Sequence, residues 1–592
     1  MAAAKKALDE RGKSILRRLI DFIRPYRWVF VLATFLTLLM SVFMPLRPAI
    51  VQQALDGAVA EGVLSDLRFW VVLLVGLTVV HSVILYFQTW VTNWMAQTVM
   101  NDLRLKVFRH LTSLRMKYFD KHAIGQLQTR TISDIETLND VFSQGLVTII
   151  GQLLQLVAIT AIMFWVNWRL ALIVLAIMPL VVIATNIFRK RVRESFNRVR
   201  RYVSQLNAFT QEHIVGMSIT QVFNREQEEA RRFRGINQKH RKAHLDTIFY
   251  YSIFFPVIEL ISALALAVLV WFGGASVIAG YVSFGELVAF ILYVNMFFRP
   301  IRMIAERFNQ LQLGIVSGER IFKVLDTDEE IEEVQEPMNP AALDSRQLRI
   351  EFRNVNFGYN PNEPILKEVS FSVEPGTTTA LVGATGAGKS TVINILMRFY
   401  EFQTGQVLLN GNSIRNFRKD DLRKAMGLVL QDVFLFNGSI LDNITLNNPD
   451  ISRKEVQQAA EAIGAHRFIE QLPGGYDFNV GERGVALSTG QRQLISFIRV
   501  MVYDPNILLL DEATANIDTE TEVLIQQAID TVLKNRTSII IAHRLSTIQA
   551  ANQILVLRKG EIIERGKHQE LLEQRGYYWK LTQLQYAPRG VA

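Results

Sequence analysis

The chain has no cysteine among its 592 residues. That excludes disulfides, thiolate-held metals and cysteine nucleophiles together. Charge is also scarce: Asp, Glu, Lys and Arg make up 20% of the sequence, against 50% hydrophobic residues. The mean hydropathy of +0.18 excludes a disordered chain and fits a purely soluble fold poorly. Acids are the rarer sign, 55 against 64 Lys and Arg, leaving a net charge of +9. A basic excess points either to nucleic acid or to loops lying against an anionic membrane face. In a chain this apolar the membrane is the better reading.

Long hydrophobic runs are missing only from the second half. Before residue 302 there are six, at about 28–50, 69–91, 142–165, 168–188, 248–272 and 275–298. Each is long enough to cross a hydrocarbon core of about 30 Å. After residue 302 the sequence reads as short strands alternating with amphipathic helices. Eight Lys and Arg precede the first run, seven lie in the second loop and fourteen in the fourth. The odd-numbered loops hold only Arg68 and Arg169. Cationic loops stay on the cytoplasmic side, so both termini are expected there, in a cell (inner) membrane. The first run follows a polar leader and meets Pro45, Arg47 and Pro48 rather than small residues, so it reads as a retained span, not a cleaved signal.

The second and fourth loops are too long to be plain connectors. Their helix-like patterns, around 99–118 and 189–222, read as spans continuing into the cytoplasm, with turns near 119–125 and 212–216. The expected organisation is therefore a cytoplasmic segment 1–27, a six-helix membrane domain 28–325, a linker 326–348 and a nucleotide-binding domain 349–592.

The sharpest motif is Gly383-Ala-Thr385-Gly386-Ala-Gly388-Lys389-Ser390-Thr391. A strand-like Thr379-Ala-Leu-Val382 precedes it and a helix-like Val392-Ile-Asn-Ile-Leu-Met397 follows. This is the strand–loop–helix context of a P-loop. Glycines let backbone N–H groups crowd around phosphates at a positive helix end. Lys389 is then placed for the β/γ-phosphates and Ser390 for Mg²⁺. Further on, the apolar strand Asn506-Ile-Leu-Leu-Leu-Asp511-Glu512 ends in two acids. Asp511 suits metal coordination through water, and Glu512 suits orienting or deprotonating the attacking water. Beside a P-loop, this reading outweighs that of two ordinary surface carboxylates.

Leu487-Ser488-Thr489-Gly490-Gln491 resembles the signature of ATP-binding-cassette (ABC) ATPases. Six spans followed by one cassette resembles the half-transporter layout of ABC exporters. The resemblance implies an α-helical membrane domain followed by an α/β P-loop NTPase domain. It makes Tyr359 the aromatic that stacks on adenine, and Gln431 the glutamine that contacts Mg²⁺ and faces the membrane domain. His543 would contact the γ-phosphate. Asp518 falls in a loop along the dimer interface whose usual Ser-Ala-Leu-Asp is Ala515-Asn-Ile-Asp518 here. Gly481-Glu482-Arg483-Gly484 resembles the segment of exporters that meets the cytoplasmic helices. Ser488, Gly490 and Gln491 would close on ATP held by a second subunit.

The resemblance thus implies ATP and Mg²⁺ as cofactors, a second half-transporter as partner, and no role for nucleic acid. Hydrophobic or lipid cargo is expected, an ATP-gated channel or regulator being the alternative. Thr489 stands where the signature usually has glycine. With Lys389, Asp511, Glu512 and His543 all of the competent type, that combination resembles one subunit of a heterodimeric exporter, a homodimer that tolerates the threonine being the alternative. In the membrane half, Glu259 interrupts the fifth run. It reads either as a substrate- or proton-contacting group or as a helix–helix hydrogen bond beside Pro256. His81 and Asn295 are weaker candidates of the same kind.

Overall fold

The computed structural model describes residues 17–19, 21–140, 147–329, 334, 336–360, 362–511, 519–542 and 544–586. They form two compact units, Met1–Thr112 with Ala123–Asp328, and Ser113–His122 with Glu329–Ala592.

The first unit is helical. Its long helices are α1 (Arg27–Gln53), α2 (Leu64–Ser113), α3 (Val147–Leu175), α4 (Met178–Val215), α5 (Glu226–Ile278) and α6 (Phe284–Leu325). Stretches of α1, α2, α3, α5 and α6 are long and apolar enough to span a membrane. At 50 residues, α2 is about 75 Å long at 1.5 Å per residue, far more than a bilayer needs. It therefore continues past the membrane, as its polar C-terminal half requires.

Within α3 the backbone is extended at Asn167 (φ −156°, ψ 106°). The Asn167 Oδ1 accepts from the N–H groups of Arg169 and Leu170 at 3.1 and 3.3 Å. That is an N-cap, so the third span ends here and the fourth begins, continuing after Ala176–Ile177 as α4.

The fifth and sixth spans divide later than the sequence suggested. Gly273 and Gly274 lie inside α5, and the break comes between Ile278 and Phe284. Gly280 there has φ +77°, while a Cβ on Gly273 would come within 2.8 Å of Leu287 Cδ1. Gly273 is thus a packing residue and Gly280 the turn. Ser283 and Glu286 then start α6 with a capping box. The tip of the fourth loop is also displaced. The chain passes through a short helix, Met217–Val222, and turns around Asn224, at φ +51°. The turn expected at 212–216 marks only the end of α4.

α4 and α5 are pinned side by side by Ser195, whose Oγ lies 2.6 Å from Thr247 Oγ1 and 3.0 Å from Ala243 O. The apolar centre of the unit includes Ile159, Met163, Leu170, Phe290 and Tyr293.

The second unit is α/β. A six-stranded sheet has the order β10-β9-β3-β8-β7-β6: Glu561–Gly566, Gln553–Arg558, Thr378–Val382, Thr537–Ile541, Ile507–Asp511 and Met426–Val429. All but β10 pair in parallel. β8 is buried at every position, as expected for a strand covered on both faces. An antiparallel sheet, β2-β1-β4-β5, is built from Leu366–Val373, Ile350–Phe357, Thr404–Leu409 and Asn412–Ser413. β3 and β7 flank β8, with Leu381 and Asp511 both in register with Ile541. Their carboxyl ends therefore open side by side, where a parallel sheet places its ligand.

The tip of the second loop belongs to this unit. Arg115 N–H donates to Glu329 O at 3.0 Å, and Tyr400 Oη donates to the Asp120 carboxylate.

Candidate nucleotide site

The loop after β3 is shaped by close approach. A Cβ on Gly383 would fall 2.3 Å from Leu557 O, and one on Gly388, at φ +103°, 2.7 Å from Leu366 Cδ2. Neither position has room for a side chain, and Gly388 also adopts a conformation that only glycine takes freely. Helix α7 (Lys389–Leu396) starts at Gly388 with no side chain capping it, so its first N–H groups are available to a phosphate.

Lys389, only 7% exposed, donates its Nζ to Gly383 O at 2.7 Å and Ala384 O at 3.2 Å. Burial pushes its ammonium below the usual lysine range, while the Asp511 carboxylate opposes that shift. Anionic phosphate would relieve this desolvated cation. Ser390 Oγ donates to Asp511 Oδ2 at 3.2 Å. A hydroxyl and a carboxylate this close supply the hard oxygen donors that Mg²⁺ prefers.

A cleft of about 810 Å³ gathers Tyr359, Thr385, Gly386, Gly388, Lys389, Ser390, Thr391, Gln431 and Asp511. Nine of the residues expected from the sequence thus meet in one place, in a volume suited to a nucleotide. Tyr359 is 38% exposed and packs edge-on against Phe357 and Tyr400, with centroids 5.0 and 4.9 Å apart. Its Oη accepts from Asn394 Nδ2 at 3.0 Å.

Four lining residues were not anticipated: Ile365, Glu522, Ile541 and Arg544, the last paired with Glu522 at 3.0 Å. Arg544 follows His543 directly, so its position was signalled; the others reach the cleft through the fold alone. Glu512, Asp518 and His543 lie outside the described residues.

Ser488, Gly490 and Gln491 do not line this cleft. They begin helix α8 (Thr489–Tyr503). Ser488 Oγ accepts from Gln491 N at 3.2 Å, and Gln491 Oε1 accepts from Ser488 N at 2.9 Å, a complete capping box. Thr489 is exposed, and its Oγ1 accepts from Arg492 Nη2 at 3.2 Å.

In the membrane unit Glu259 is exposed on α5, and the Asn295 amide donates to Ile291 O of its own helix at 3.1 Å. His81 lies half-buried on α2.

Known families match both units: the ABC transporter transmembrane region over residues 30–301, and the ABC transporter domain over 366–515. A relative named as a probable multidrug resistance ABC transporter ATP-binding/permease protein, YheH of Bacillus subtilis (strain 168), is 40% identical over 517 residues. That alignment covers 86% of this chain and 76% of the relative. A fatty acid ABC transporter ATP-binding/permease protein of Mycobacterium bovis (strain ATCC BAA-935 / AF2122/97) is 36% identical, covering 90% and 82%. A solved bacterial Atm1-family ABC exporter with ATP bound matches with a TM-score of 0.79 and 28% identity, covering 95% of this chain and 99% of that one. The P-loop cleft beneath a parallel sheet and the apolar helical unit before it are thus the two halves of one known architecture, and the chain belongs to the ABC transporters, as a half-transporter whose ATPase is coupled to movement across a membrane.

Proposed function

We propose that this protein exports hydrophobic or amphipathic molecules, drugs or lipids, across the cell (inner) membrane by alternating access. Its cassette and both termini lie on the cytoplasmic side. The observation that carries the reading is the joining in one chain of a complete P-loop cleft with a helical unit that has apolar stretches of membrane-spanning length. ATP lies on the α7 N-terminus with Tyr359 against adenine. Ser390 and Gln431, with Asp511 through water, hold Mg²⁺, and Glu512 and His543 act at the γ-phosphate. Reconstituted in sealed vesicles, the transporter should concentrate a fluorescent amphiphile in one direction only with ATP and Mg²⁺. Passive flux that ATP merely opens would replace the pump by a channel.

The working unit is a dimer. Ser488 and Gly490 sit away from the chain's own cleft, so a phosphate for them must come from another cassette. Exposed apolar residues at the fourth-loop tip, Ile214, Val215, Ile219, Val222 and Phe223, also form a patch that water does not favour. The second subunit is a different chain. Thr489 puts an exposed β-branched side chain where an opposing phosphate must approach, while Lys389, Asp511, Glu512 and His543 are of the competent type. Purification of this chain alone as a dimer with two equally fast hydrolysing sites and full transport would overturn the heterodimer.

A further inference from the structure

Arg47 lies in α1 between Pro45 and Pro48, inside a stretch of spanning length, and His81 lies in the apolar stretch of α2. The two helices are in register through Gln88, whose Nε2 donates to Thr37 Oγ1 at 3.4 Å. Arg47 is ten residues beyond Thr37, and His81 seven before Gln88, in helices that run in opposite directions. At 1.5 Å per residue both rise about 10–15 Å from that contact toward the same face. That register sets Arg47 and His81 at a similar depth on the two helices.

Neither group is satisfied. Arg47 Nε and His81 Nε2 are buried without a hydrogen-bond partner, and among the described residues neither side chain has an acidic partner. Two acids near the outer ends of the helices, Asp56 and Glu286, are already engaged. Asp56 accepts from Ser283 Oγ and Gly285 N at 2.5 and 2.7 Å, and Glu286 accepts from Ser283 N at 2.9 Å. A cation without a counter-ion at membrane depth is expensive and marks a ligand path. The guanidinium fork suits a two-oxygen anion such as a carboxylate or phosphate, and the imidazole adds a ring nitrogen able to hydrogen-bond it. Because both helices are apolar around the pair, a ligand reaching it must bring a hydrophobic body.

We propose that Arg47 and His81 hold the anionic head of an amphiphilic substrate, so that this transporter prefers anionic over neutral or cationic amphiphiles. The proposal rests on the export reading and adds the sign of the cargo's charge.

The test uses the assembled full-length transporter in phosphatidylcholine nanodiscs, with ATPase stimulation by oleate, oleyl alcohol and oleylamine as readout. Oleate should act at about tenfold lower concentration than the other two, the worth of one charge-assisted contact. Arg47→Gln should erase that advantage, and Arg47→Lys should keep part of it. Equal potency of the three probes, or an oleate advantage that survives Arg47→Gln, would overturn the assignment. So would inorganic phosphate or acetate acting as well as oleate, since the site would then serve a free anion. Loss of dimer assembly in Arg47→Gln, undone by Arg47→Lys, would overturn it too, by giving Arg47 an acid of the partner as counter-ion. A response to amphiphiles without charge preference leaves export standing, whereas no response to any amphiphile removes both readings.

Discussion

Two helices of the cassette begin with groups suited to phosphate, and they begin differently. α7 starts at Gly388 with no side-chain cap, inside a cleft whose buried Lys389 has, among the described residues, only carbonyls as hydrogen-bond partners. α8 starts at Ser488 with a closed capping box, exposed and outside that cleft. An open helix end in a concave site receives a ligand from its own chain. A capped end outside the cleft is stable as it stands and needs no ligand of its own chain. In the dimer proposed above, the contrast divides the chain into a half-site for its own nucleotide and one for a partner's.

Damage to the first half-site should have the largest effect. Glu512→Gln removes the carboxylate we propose orients water while keeping its shape, so turnover in the assembled transporter should fall by roughly 10²–10⁴-fold with ATP still bound. Steady-state hydrolysis near the unmodified rate would show that another group does this work. In a heterodimer the loss is nearly complete, because the other site contributes little.

The second half-site is sharpened by a substitution that separates capping from phosphate contact. Aspartate caps a helix as well as serine, whereas alanine costs about 1 kcal/mol. Ser488→Asp should therefore leave the thermal unfolding midpoint unchanged. Its carboxylate would repel the phosphates of an opposing nucleotide, so ATP-driven cassette closure, read by cross-linking across the interface, should be lost. A variant that closes normally with ATP would mean that α8 never faces a phosphate. Ser488→Ala should do the reverse, loosening the helix start while leaving part of the closure.

The unequal legibility of these regions has physical causes. The P-loop was readable because its demands are local: Gly383 and Gly388 sit where no Cβ fits, with four positions between them and Lys389 and Ser390 directly after. Tyr400 and Glu522 reach the nucleotide cleft or its aromatic wall only through the three-dimensional fold, which spacing does not encode. The Gly273–Gly274 pair read as a break because glycine weakens helices in water. Within the membrane unit it instead lets Leu287 approach, and the turn falls to Gly280. The capping box at Ser488 was hidden because Ser-x-x-Gln was read for its phosphate chemistry alone.

A smaller effect concerns how the cleft is tied to the second-loop tip. Tyr400 packs edge-on against Tyr359 and donates to Asp120 in that tip. Asp120→Asn weakens a charge-assisted bond at an exposed site, worth about 1 kcal/mol, or roughly fivefold in an equilibrium. Transport should fall several-fold while basal ATPase activity changes little, and Tyr400→Phe should reproduce that split. Equal loss of both activities in a folded, assembled variant would exclude a coupling role. Gly125→Ala, at the second residue of the helix that follows the tip (Ile124–Thr131), probes the same region more gently. A Cβ there meets nothing within 4 Å, so folding should be unaffected.

The smallest expected effect lies at the fourth-loop tip and depends on pH. His213 near the end of α4 places Nδ1 2.8 Å from Phe209 O and Nε2 2.9 Å from Glu229 Oε2. Both acceptors are satisfied at once only by the protonated ring. The Phe209 carbonyl first, then the Glu229 and Glu212 carboxylates, hold its pKa above the usual histidine value, against some desolvation. Because the folded value is the higher one, this stabilisation is complete below the ordinary histidine pKa of about 6.5 and is lost as pH rises through the folded pKa. The tip should therefore loosen as pH climbs above the ordinary histidine value, the reverse of what a paired carboxylate with a lowered pKa would give. Hydrogen exchange of amides 217–223, corrected for the intrinsic base-catalysed rate, should accelerate over that window. His213→Gln keeps a donor for Glu229 but cannot titrate, so it should flatten the profile. An unchanged pH dependence in that variant would move the switch to another group.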